Sequence, residues 1–136
     1  MWMRKVEVET QVGPAHEPAL ICSEAAFAQA FHYWRGVSGR RYLHSVYSLI
    51  GCPALPRANY ILVRRYEDGT RSALAFGQTR DSTATLNLAH LRHEGAKCEA
   101  NEVHIHLLAE GADARAAVES DLIAAHSPRL TAADAA

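Results

Sequence analysis

The stretch from Trp34 to Tyr42 is a Gly- and Arg-rich turn between two aromatic residues, and it carries Arg35, Arg40 and Arg41. Two more arginines, Arg64 and Arg65, recur further along. Guanidinium groups fork onto phosphate oxygens and rings stack on bases, so these five residues form a candidate nucleic-acid-binding set. A plain loop of solvated arginines paired with acidic helices fits the same pattern. The turn is no Walker loop, because the lysine and the glycine spacing are missing.

Glu119 lies beside an apolar helical stripe. A lone helix carboxylate suits magnesium, which takes one or two carboxylates plus waters, and it equally suits a boundary ion pair with an arginine of a sheet. Tyr60, on a strand-like run, could present its hydroxyl to a phosphate or a water; a packed ring with its hydroxyl at the rim is the ordinary alternative. His104 and His106 are two apart and share one strand face. With His90, His93 and Cys98 nearby they raise the question of zinc, but the spacing matches no closed tetrahedral pattern. Two partly exposed histidines on a polar sheet face is the reading the pattern supports.

The chain has 136 residues, enough to bury a core without disulfides or metals. Its 49% hydrophobic and 21% charged content is that of a globular protein and argues against disorder. No apolar run approaches the roughly 20 residues that span a bilayer, and the first residues lack a secretory-signal pattern. Cys22, Cys52 and Cys98 are odd in number and widely spaced, which argues for a reducing compartment and points to the cytoplasm. The net charge of −1 hides a split. Residues 35–80 hold eight arginines against Glu67 and Asp68, while residues 81–136 carry a balance of −5. A basic middle of this kind is a candidate phosphate-facing surface.

Periodicity supplies the elements that must position these groups. Residues 5–10 alternate as a short edge strand. Ser23 is a plausible N-cap for a helix carrying Phe27, Phe31 and Trp34 at helical spacing and ending at Gly36. Residues 41–49 are rich in β-formers. Pro53 and Pro56 keep 52–56 irregular. Residues 60–66 and 71–76 flank Asp68-Gly69, a strong hairpin signal, and Gly77 is expected to end the second strand. Asp81 or Ser82 caps a helix to about His93. Residues 102–108 alternate as a half-buried strand, and 112–125 form a helix stopped by Pro128. The expectation is an α+β domain over 1–131, with a small, mostly antiparallel sheet of about four strands flanked by helices. Residues 1–57 are its extension of edge strand, helix and strand, 58–131 its core, and 132–136 a frayed tail.

The order and punctuation of the core resemble the GIY-YIG nuclease fold, over about 75 of the 136 residues. Ala58-Asn59-Tyr60 looks like that family's first motif, and Ala75-Phe76-Gly77-Gln78-Thr79 like its second. Val118-Glu119 to Leu122-Ile123, followed by His126 and Pro128-Arg129-Leu130-Thr131, resembles its closing helix. The resemblance implies a three-stranded antiparallel sheet flanked by helices that cuts a DNA phosphodiester with one divalent metal, Mg2+ or Mn2+. Tyr60 and Glu119 would be its catalytic residues, with Glu119 as the metal ligand and His90 or His93 standing in for a helix histidine. The departures are large. Ala75 replaces the second tyrosine, Thr85 falls where a catalytic arginine is expected, Arg80 is at the wrong spacing, and Thr131 replaces the closing asparagine. Removing one preorganised electrostatic donor costs roughly 10²–10³ in rate, so losing two or more points to an inactive or altered site.

Three functions follow as expectations. The first is a non-catalytic or weakly active GIY-YIG-like domain that binds nucleic acid through its basic half, with DNA as a candidate partner. The second is a metal-dependent DNA endonuclease with a rebuilt site. The third is an interaction module without a nucleic-acid role, for example a homo-oligomer joined through its aromatic N-terminal helix.

Overall fold

The computed structural model describes residues 31–126 together with Phe27 and Ala30. The expected edge strand at 5–10, the cap at Ser23, the motif at 128–131 and the tail at 132–136 lie outside the described residues. The described elements run β1 (Phe31–Arg35), β2 (Arg41–Ser48), β3 (Ala58–Arg65), β4 (Arg71–Thr79), α1 (Ala84–Lys97), β5 (Glu102–His106) and α2 (Ala112–His126). The strands make one antiparallel sheet in the order β1-β2-β5-β3-β4. The class is α+β, with five strands among the described residues where about four were expected of the chain.

The additional strand is β1, which corrects the helix drawn through Phe31 and Trp34. Phe27 and Ala30 are helical, but residues 31–35 pair with β2 across a tight turn. The local sequence Phe-His-Tyr-Trp-Arg is dominated by aromatics that favour a pleated, half-buried surface over a helix. The periodic aromatic signal was real, but strand pairing won. Gly39 closes the turn at φ +92°, a left-handed conformation that favours glycine.

Strand β4 also runs past the expected stop at Gly77 and continues to Thr79. Gly77 pairs with Tyr60, and a Cβ there would lie 2.6 Å from the Tyr60 hydroxyl. The glycine makes room for a ring instead of breaking the strand. Helix α1 starts after Thr83, not Asp81 or Ser82, and reaches Lys97 rather than His93. Its Gly95 faces the methyls of Leu49, the nearest only 2.7 Å from a would-be Cβ, so the helix lies close on the sheet.

The two helices cover opposite faces. Under α1, Leu91 packs with Tyr60, Leu62, Val103 and Ile105. Under α2, Val118 and Leu122 pack with Trp34, Ile61 and Val63. The sheet is curled: His126 of α2 is stacked at 5.9 Å from Phe76 of β4 and edge-on at 5.3 Å from Trp34 of β1, so its two edge strands meet one side chain. No helix among the described residues is long and apolar enough to cross a membrane.

Candidate functional site

A cleft of about 550 Å3 opens along the β4 edge, lined by Tyr60, Gln78, Arg80, Asn87, His90 and Glu119 among others. Four elements and a loop contribute to it, so the fold brings together Tyr60, His90 and Glu119, which the sequence singled out separately. Tyr60 comes from the α1 face of β3, and its hydroxyl reaches the edge of the sheet beside Gly77. Glu119 comes from α2 on the other face, and its Oε1 accepts a hydrogen bond from Gln78 Nε2 at 2.6 Å.

Arg80 enters the cleft from a loop held on both sides. Thr79 Oγ1 donates to the Pro56 carbonyl at 2.7 Å and accepts from the Ala58 amide at 2.8 Å. Asn87 is buried, donates to the carbonyls of Leu55 and Asp81, and accepts from the Asp81 amide. Arg57 Nε donates to the Arg80 carbonyl at 3.0 Å. A second hollow of about 550 Å3 continues the first past Gln78, Thr79 and Arg80, and adds Arg57 and Arg115. The only carboxylate in its lining is Asp113. Burial raises the Tyr60 pKa, with Glu94 and Glu119 adding to the effect and Arg80 opposing it. The phenol is therefore a neutral hydrogen-bond donor near pH 7, suited to a phosphate oxygen rather than to taking a proton.

The five arginines read as one set do not share a surface. The register places Arg35, Arg40 and Arg41 at the end of the sheet where Ala58 pairs with Thr79. Arg64 and Arg65 fall at the opposite end, beside the β3–β4 hairpin. Arg41 sits 4.6 Å over the Tyr33 ring, Arg35 donates to the Gly39 carbonyl, and Arg64 donates to the Glu99 carbonyl. Arg65 lies 3.7 Å from Glu102, an ordinary ion pair. Arg57, Arg80 and Arg115 were not singled out as a binding set, since nothing in their spacing shows that a sheet end and a helix start converge.

The histidine reading is also corrected. All five residues of β5 are buried, so His104 and His106 are not exposed on a polar face. Trp34 Nε1 donates to His104 Nδ1 at 2.9 Å, which leaves the His104 Nε2–H to donate to Glu102 Oε1 at 2.9 Å. The same oxygen accepts from Arg71 Nε at 2.9 Å. Burial lowers the His104 pKa to about 4, against the pull of Glu102. Both ring nitrogens are used, so His104 is a structural residue. Among the described residues no group of three or more His, Cys, Asp or Glu could hold a metal ion. Cys52 and Cys98 are free thiols, and burial pushes the Cys52 thiol up to about 11, which leaves it inert.

His44 escaped notice in the sequence, although Tyr42, His44 and Val46 alternate on one face of β2. It is fully buried, and burial lowers its pKa to about 3. No family model matches the chain, and no curated protein or solved structure matches it either.

Proposed function

We propose that this domain binds the phosphate backbone of nucleic acid, DNA in the first instance, in the cleft along β4, on a GIY-YIG-like scaffold with weak or no hydrolytic activity of its own. The observation that carries the reading is the meeting of Tyr60, Arg80, His90 and Glu119 in one cleft, continued by Arg57 and Arg115. Arginines fork onto phosphate, and a neutral phenol donates to it. The unit β4-β3-β5, with a helix on each face, agrees with the architecture that the motif resemblance implies. The spaced free cysteines agree with a cytoplasmic setting.

A specific observation also favours the metal-dependent endonuclease. Arg80 lines the cleft even though its sequence position departs from the family pattern, which supports a role for its guanidinium in offsetting charge on a bound phosphate. Glu119, held by Gln78, would be the single carboxylate ligand for Mg2+ or Mn2+, with waters completing the shell. The two readings divide in a nicking assay on supercoiled and branched DNA with manganese. Binding that fades with salt, and no product from either the parent or Glu119→Ala, supports the binding domain. Product from the parent that is lost in Glu119→Ala establishes the nuclease. Neither binding nor cleavage removes both.

A further inference from the structure

Only two buried side-chain polar atoms among the described residues lack a hydrogen-bond partner, His44 Nε2 and Asn59 Oδ1. Both are acceptors, and both flank the same residue. Asn59 is the direct cross-strand partner of His106. His44 lies one step beyond the Ser45–Ile105 pair, which places it opposite His106 on the other side, with the two rings 5.2 Å apart. His44, His106 and Asn59 thus form one row across β2, β5 and β3, on the face covered by α2.

The tautomers are fixed by the backbone. His44 Nδ1 lies 2.9 Å from the Tyr42 carbonyl, and His106 Nδ1 lies 2.7 Å from the Leu43 carbonyl. A carbonyl accepts only, so each Nδ1 carries the proton and each Nε2 of the neutral ring carries a lone pair. The Asn59 amide is oriented in the same way, because its Nδ2 donates to the Arg115 carbonyl at 2.8 Å and leaves Oδ1 as the open atom. Leaving such acceptors buried and unmatched is costly, and imidazoles pinned through Nδ1–H to carbonyls are the usual arrangement for metal ligands. His106 also lines a cavity of about 450 Å3 with Tyr42, Arg40 and Glu110, so solvent reaches the row at His106, while His44 and Asn59 lie behind it and outside the cavity lining.

We infer that His44 Nε2, His106 Nε2 and Asn59 Oδ1 form a binding site for a first-row divalent cation with a preference for imidazole, Zn2+ or Cu2+, with water from the adjoining cavity completing the shell. This site is built on the sheet face and does not depend on the phosphate-binding reading of the β4 cleft. Glu110 on the cavity wall favours cation entry and Arg40 opposes it, so the ligands rather than long-range charge must supply the affinity.

The test uses tag-free full-length protein, stripped with a chelator, and Zn2+ in competition with a chromophoric indicator. Co2+ absorption in the visible region then reports the ligand set. The site predicts one ion per chain and a rise in melting temperature with added Zn2+. It also predicts a dissociation constant weakened about tenfold or more in His106→Gln and in His44→Gln, with His93→Gln behaving as the parent. Circular dichroism checks that each variant is folded. If His44→Gln does not fold, His106→Gln, which sits at the cavity wall, decides alone. No binding by the parent, or equal binding by the parent and His106→Gln, overturns the site.

Discussion

His104 and His44 are neutral for the same reason: each is fully buried, and burial penalises the imidazolium more than the neighbouring hydrogen bonds favour it. Their folded-state values, about 4 and about 3, lie below the 6.5 of an unfolded chain. Between these limits the unfolded state takes up protons that the folded state refuses, so stability falls as the pH drops below 6.5. Each ring contributes a slope of up to about 1.4 kcal/mol per pH unit in that window. Glu102 acts lower down. Burial works against its ionisation, but the hydrogen bonds from His104 and Arg71 prevail and hold its pKa below 4.5. Its contribution is complete above that value and is lost as the pH falls through the folded-state value. Urea denaturation at pH 7.5, 6 and 5 should therefore show a steady loss of stability, and His44→Gln should make the profile shallower. A flat profile between pH 7.5 and 5 contradicts this account of the buried rings.

The elements differ in how tightly they are specified. Leu122 anchors α2 between Trp34, Ile61 and Val63, and is 2% exposed. Leu122→Ala should cost about 2–5 kcal/mol in urea denaturation, by lost burial plus a cavity. On the opposite face Gly77→Ala would push a methyl against the Tyr60 phenol and displace it, at about 1–3 kcal/mol if the edge strand yields only in part. The same variant should weaken binding in the β4 cleft, and unchanged nucleic-acid affinity would show that the Tyr60 hydroxyl takes no part.

These two positions also show what was legible in the sequence. The α2 stripe of Val118 and Leu122, the Asp68-Gly69 hairpin and strands β2 and β3 are written in local, periodic patterns, and the structure forms them there. Gly77 carries no local sign of continuing the strand, because its role depends on the Tyr60 ring that pairs with it from β3, 17 positions earlier. Residues 31–35 carry a helical signal, an aromatic every three or four positions, and only the pairing with β2 makes them a strand. Tyr60, His90 and Glu119 were found as residue types. That they share one cleft with Arg80, and that Arg57 and Arg115 line the adjoining hollow, follows from sheet curl and helix placement, which no local pattern records.

At the scale of the whole molecule the arginines are divided between the two ends of the sheet, and adjacent strands are only about 4.8 Å apart. Arg57 and Arg80 therefore lie within reach of one phosphate run with Arg115, while Arg64 and Arg65 face away at the hairpin end and are engaged with Glu99 and Glu102. Phosphate contacts release counterions, so each lost contact lowers the slope of log affinity against log salt by about 1. The most direct measurement is DNA affinity across a salt series for the parent, for Arg57→Ala with Arg80→Ala, and for Arg64→Ala with Arg65→Ala. The cleft predicts weaker binding and a slope flatter by about 2 in the first pair, with the second pair close to the parent. An unchanged slope in the first pair, or no salt-dependent binding by the parent, contradicts the assignment of the β4 cleft to nucleic acid.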